Sequence, residues 1–362
     1  MERRVNLDII DLLKVISATL VFFLHVTLFN GVQFAGSQFL PTYPKLFFFY
    51  TPAWAGVWIF FLVSGFLAGI GFLNRRYLLE KSSILSYYKK KIRNVYFPII
   101  GFLLLIGVLV KPDFFIENYQ IIPQIIISMY AGRPEGPGTG ATWFIFTLMW
   151  LYLFTPLFIF IIQKVKHRLV VLFLLIICGF IYRNMVSSFG LDWYYFTYTS
   201  VVGNLDLYCS GICLAYLLPQ YRNKINLNRL PYYRFISLIS FVGFIVYNSY
   251  IYSHSTHLNS YQTKYPTIYL LLVSLILVFF IFNDKQISTP TLFNRCITWF
   301  AGISFEFYLF HSLIAYTLVK YINVGNPLVQ YLCAILLVGG TTVICSIAFK
   351  RIFNRQIIKN KL

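Results

Sequence analysis

The chain has 362 residues, of which 59% are hydrophobic and only 11% charged, and its mean hydropathy is +0.71. Such numbers exclude a soluble globular domain and describe a polytopic membrane protein. The formal charge of +19 does not signal nucleic-acid binding, because the cations gather between apolar runs, as they do in membrane-flanking loops.

Apolar runs long enough to span occur at 9–29, 52–73, 94–111, 142–163, 169–187, 198–218, 235–252, 266–283, 297–319 and 328–349. They predict an all-α fold of about ten transmembrane helices, forming a single domain over 1–362. The first run is long and lacks a small-residue cleavage site, so it is expected to stay as a span rather than leave as a signal peptide. With the N-terminus inside, 23 cations fall on the cytoplasmic side (1–8, 74–93, 164–168, 219–234, 284–296 and 350–362) and six outside. That bias predicts two cytoplasmic termini. Abundant Phe, Tyr, Ile, Lys and Asn suit a low-GC bacterial sequence, and hence a multi-pass protein of the bacterial cytoplasmic membrane.

The first run, DIIDLLKVISATLVFFLHVT, carries Asp11, Lys14 and His25. Ionisable groups inside a span are costly and mark a bundle interior or an aqueous cavity. Lys14 and His25 are eleven residues apart, 20° past three full turns, so they share one stripe about 16 Å apart along the axis. Asp11 lies one turn before Lys14, where the two charges can pair. The alternative is an interfacial Asp11 and a snorkelling Lys14, with His25 as a packing residue.

In the second run, Ser64, Gly65 and Gly69 let a neighbouring helix approach closely. The segment 74–93 holds seven cations, including Lys89, Lys90 and Lys91. It reads either as an anchor for anionic lipid or as a docking surface for a phosphorylated cofactor, with Arg93 at the mouth of the third span and Pro98 able to bend it. Residues 112–141 begin as an interfacial or re-entrant segment broken at Pro123 and end as a Gly/Pro-rich outer loop. Trp143 and Phe144 open the fourth span as an aromatic belt. Glu306 and His311 in the ninth span are not on one stripe, and Asp206 is a further acid in the sixth. Two intramembrane histidines and two intramembrane acids exceed what packing needs and point to a polar cavity with a function. His254 and His257 read as loop histidines, and Cys209 and Cys213 as packing residues, so no metal site is expected.

In this order the pieces resemble the acyltransferase 3 family of integral-membrane acyltransferases. The family's first-helix pattern is a base, ten residues and a His, with Asp three positions before the base; IDLLKVISATLVFFLH supplies Asp11, Lys14 and His25. GVWIFFLVSGFL, KKKIRNVYFP, TWFIFTLMWLYLFTP and SFEFYLFHSLI resemble four later motifs, so the resemblance runs from residue 8 to about 316. Three positions depart from the pattern: Lys14 replaces the usual Arg, Tyr96 stands where many members have a second Arg, and Thr142 where some have a His. Lysine keeps the charge of arginine but loses its bidentate fork. The chain is expected to be the stand-alone form, without the esterase-like extra domain of some relatives.

The resemblance implies transfer of an acyl group, most simply acetyl, from acyl-CoA to a hydroxyl of a surface or exported polysaccharide or lipid-linked glycan. His25 is then the catalytic base, assisted by Lys14 and Asp11. Arg93, Lys14 and Lys91 bind the donor, and Glu306, Tyr308, His311, Trp143 and Ser64 line the cavity. Acetyl-CoA or another acyl-CoA is a substrate, with no permanently bound cofactor expected; the other partners are the bilayer and the glycan. The alternative from another class is a transporter or flippase for a glycan or lipid-linked precursor, which buried charges and many spans also suit.

Overall fold

In a bilayer no water satisfies exposed backbone groups, so apolar segments close their hydrogen bonds internally as helices. The computed structural model shows this architecture. It describes residues 8–29, 53–120, 122–123, 136–192, 194–222, 235–236, 239–240, 242–247, 265–282, 292–322, 324 and 326–359. The helices are α1 (Asp8–Phe29), α2 (Ala53–Leu73), α3 (Lys81–Lys91), α4 (Phe97–Leu105), α5 (Trp143–Lys164), α6 (Arg168–Ser188), α7 (Leu205–Arg222), α8 (Tyr265–Phe282), α9 (Leu292–Leu318) and α10 (Pro327–Lys359). Among the described residues there is no β-strand.

Seven helical segments of the described residues are long and apolar enough to cross a membrane. Two shorter apolar helices, Val202–Leu217 and Tyr265–Ile276, stand where the sixth and eighth spans are expected. The expected seventh span, 235–252, lies partly outside the described residues, as do the loop histidines His254 and His257.

The segment 74–93, read as a loop, is largely helical in the structure. α3 passes through a wide π turn, Ile92–Tyr96, into α4, so one rod runs from Lys81 to Val110. The turn has a local cause. Pro98 has no N–H for the carbonyl four residues back, and the chain widens so that Phe97 N–H reaches the Ile92 carbonyl, five back.

α2 is the centre of the bundle, with α1 on one side and α7 on the other. It carries no charge and packs through its small residues. A Cβ at Gly65 would fall on the Tyr208 carbonyl of α7, and one at Gly211 of α7 would fall on the Leu62 carbonyl of α2. Gly56 brings α2 against the Ser17 carbonyl of α1 at the same close range. Without lipid-excluded hydrophobic gain between helices, such close contact supplies the association.

A buried ion pair ties α6 to α7. Arg183 Nη1 and Nη2 donate to the two carboxylate oxygens of Asp206 at 3.1 and 2.5 Å, with side-chain exposures of 1% and 5%. Arg183 also donates to the Gly203 carbonyl and to Thr267 of α8. Asp206 is therefore engaged in holding helices together, and Arg183 is buried inside the protein.

Candidate active site

The site is built on one stripe of α1. Lys14 Nζ donates to Asp11 Oδ1 at 3.1 Å, the two side chains being 26% and 20% exposed. Three turns later His25 sits half-buried, its Nδ1 2.9 Å from the Val21 carbonyl. Neither Lys14 nor His25 is turned wholly outward, which the spacing alone left open.

α9 packs along α1 and supplies the partner of His25. His311 is 1% exposed, and its Nε2 lies 3.1 Å from His25 Nδ1; the two rings meet edge to face, with centroids 4.8 Å apart. The other nitrogen of His311, Nδ1, is 2.6 Å from the Tyr308 carbonyl. These distances assign the protons. A carbonyl only accepts, so His311 Nδ1 carries hydrogen, and in the neutral ring its Nε2 is then an acceptor. His25 Nδ1 likewise carries hydrogen toward the Val21 carbonyl and shares it with His311 Nε2. The unprotonated nitrogen of a neutral His25 is therefore Nε2. A base oriented by a second group in this way is the general arrangement for accepting a proton from a nucleophile.

A short loop closes this end. Tyr308 Oη donates to the Ala141 carbonyl at 2.8 Å, and its ring packs on Phe60 and Phe144. Tyr308 is thereby a latch between α9 and the residues before α5. Gly138 has φ +68°, a left-handed conformation that suits glycine, and a Cβ there would collide with the Leu313 backbone. Trp143 is buried against Phe61, Phe144 and Tyr198, as part of the wall.

A second polar station lies toward the N-terminal end of α1. The Tyr152 side chain of α5 lies within electrostatic reach of Lys14. Lys91 Nζ stands 3.5 Å above the centre of the Tyr152 ring. Tyr88 Oη donates to the Leu153 carbonyl at 2.7 Å, docking the same basic helix on α5. Of the donor-binding residues expected from sequence, Lys14 and Lys91 thus meet around Tyr152. Arg93 does not join them; it is exposed, and its Nε donates to the neighbouring Asn94 at 3.3 Å.

Glu306 stands apart from the histidines, within electrostatic reach of Lys350 of α10, whose Nζ donates to the Gly302 carbonyl. Among the described residues no three His, Cys, Asp or Glu side chains gather as a metal-ligand set. Sequence reasoning found both histidines and the Lys14–Asp11 pair but not Tyr152, one of 28 tyrosines. Its only sequence cue is a position four residues before Pro156, which lacks the N–H that would take up the Tyr152 carbonyl.

No curated protein and no solved structure matches the chain. A family does: its acyltransferase domain matches residues 7–351, which contain α1 through most of α10 and every polar group just described. The chain belongs to the acyltransferase 3 family and is a membrane-embedded, multi-pass acyltransferase of groups other than aminoacyl groups.

Proposed function

We propose that this enzyme moves an acyl group, most simply acetyl, from acyl-CoA to a hydroxyl of a surface or exported polysaccharide or lipid-linked glycan. The observation that carries the reading is the His25–His311 pair, set about 16 Å along α1 from Lys14, which Asp11 pairs. A sugar hydroxyl is a weak nucleophile at neutral pH and needs a base within hydrogen-bond reach. His25 Nε2 takes that proton as the hydroxyl oxygen attacks the thioester carbonyl. The positive charge then spreads to Nδ1–H, where the Val21 carbonyl and neutral His311 Nε2 both accept from it. The carbon–sulfur bond breaks, the ester forms, and His25 returns its proton to the leaving thiolate.

The cations assign the other end. Lys14 and Lys91 receive the donor's phosphates, and the pantetheine arm extends along α1 to bring the thioester to His25. The cation bias of the sequence puts Lys14 and Lys91 toward the cytoplasm, where acyl-CoA is made, and the acceptor then arrives from the opposite face of a bacterial cytoplasmic membrane.

The test is ester analysis of surface polysaccharide from cells carrying the wild-type protein, His25→Ala, or no protein. Loss of the ester in both deficient strains, with polymer yield unchanged, is the expected result. Retained ester with a fall in surface polymer would instead mean that the protein moves glycans and would overturn the reading.

A further inference from the structure

Lys14 and Lys91 are held by different means, and the difference bears on what they bind. Asp11 fixes Lys14 and offsets its charge. Lys91 has no carboxylate partner among the described residues; it rests on the faces of Tyr152 and Tyr87, at 3.5 and 5.5 Å from their centres. An aromatic face attracts an ammonium through its quadrupole without cancelling its charge. The station therefore holds two ammoniums against one carboxylate, leaving one positive charge unoffset in a half-buried place. Keeping such a charge from water is costly, and a ligand of opposite sign offsets that cost.

From this geometry, and resting on the donor reading above, we propose that Tyr152 is a positioning residue for the donor's phosphates. One side chain performs two tasks. Its ring face fixes Lys91, and its place on α5 puts that ring within electrostatic reach of Lys14. A lysine chain carries about 2 kcal/mol of rotamer entropy, and an ammonium is a point charge with three rotatable donors. Seated on the ring, it directs its remaining N–H groups away from the aromatic face, toward an incoming phosphate. Tyr152 touches neither the reacting carbonyl nor His25, so it governs donor affinity and leaves the chemical step alone.

The test measures steady-state transfer by the full-length enzyme in nanodiscs, with binding of free coenzyme A as a second readout. Tyr152→Leu removes the ring and the hydroxyl; the expected result is a donor KM raised about tenfold or more and coenzyme A binding weakened in parallel. The kcat at saturating donor and the KM for acceptor stay near wild type. Tyr152→Phe keeps the ring face and is expected to hold donor KM within about threefold. A normal donor KM in Tyr152→Leu, or a fall in kcat without a rise in KM, overturns the proposal.

Should Tyr152→Leu not accumulate, Lys91→Gln breaks the same contact from the other side and is expected to show the same KM-only defect; a normal donor KM there overturns the proposal. Wild-type enzyme that fails to bind coenzyme A at all overturns the donor reading itself. Wild-type binding that both variants retain overturns only the role of Tyr152. The phosphate could also come from a lipid headgroup, so the series is run in neutral and in anionic nanodiscs. A defect confined to anionic lipid means headgroup binding and also overturns the proposal.

Discussion

Replacing His311 separates the proposed base from the group that orients it. His311→Ala removes one of the two acceptors of His25 Nδ1–H, while the Val21 carbonyl remains at 2.9 Å. The lost bond becomes charge-assisted as His25 takes its proton. Hydrogen bonds to charged groups contribute about 1.5–3 kcal/mol, so kcat is expected to fall about ten- to a hundredfold. His25→Ala removes the base itself and is expected to cost more, about 10²- to 10⁴-fold. The double variant should be no slower than His25→Ala, because His311 acts only through His25. His311→Gln, whose amide oxygen can accept the same hydrogen, should recover part of the loss. The assay is single-turnover transfer from radiolabelled acyl-CoA, with thermal unfolding in detergent to exclude collapse around the vacated site. If His311→Ala costs as much as His25→Ala, and the two losses add in the double variant, His311 is itself a proton carrier and the assignment is wrong.

Further perturbations test the frame that holds the pair. Gly138→Ala forces a Cβ into the Leu313 backbone at a positive φ, a left-handed conformation that costs an L-residue roughly 1–2 kcal/mol before any collision. It should lower both the melting temperature and kcat, whereas Tyr308→Phe, which loses only the Ala141 bond, should cost about 0.5–1.5 kcal/mol in stability. Asp206→Ala leaves Arg183 buried without its counter-charge, and breaking such a pair typically costs about 3–5 kcal/mol. The double change Arg183→Met/Asp206→Leu should unfold at a higher temperature than Asp206→Ala, and a double variant less stable than the single one would refute the ion-pair account.

What the sequence made legible is what local periodicity encodes. The stripe joining Asp11, Lys14 and His25 follows from 3.6 residues per turn, and Gly65 and Gly69 announced a close helix contact before its partner, α7, was known. The meeting of His25 with His311 is a contact between residues 286 positions apart, fixed by which helices are neighbours, and no periodicity reports it. Asp206 misled for the same reason. An acid in a span signals a need for a partner, but sequence does not distinguish a catalytic cavity from Arg183 on the adjacent helix. The helical state of Lys81–Lys91 was hidden by its charge, since a run of lysines reads as a loop until Tyr87 is seen buried beneath it.

The departures from the family pattern acquire a physical sense from the same arrangement. Lys14 in place of arginine, and Tyr96 in place of a second arginine, remove planar forks that grip phosphate in two bonds. Ammoniums recognise phosphate as point charges, and so their positions must be set by other groups. The structure sets both, Lys14 by Asp11 at 3.1 Å and Lys91 by the Tyr152 ring at 3.5 Å. α1 then acts as the spacer. The step of eleven residues from Lys14 to His25 keeps the charged station about 16 Å from the proposed base, whatever acyl group the donor carries. On the proposed donor reading, choice of the acyl group falls to the residues packed about Tyr308, with Phe144 and the loop at Gly138, and recognition of the donor's charge to the far end of α1.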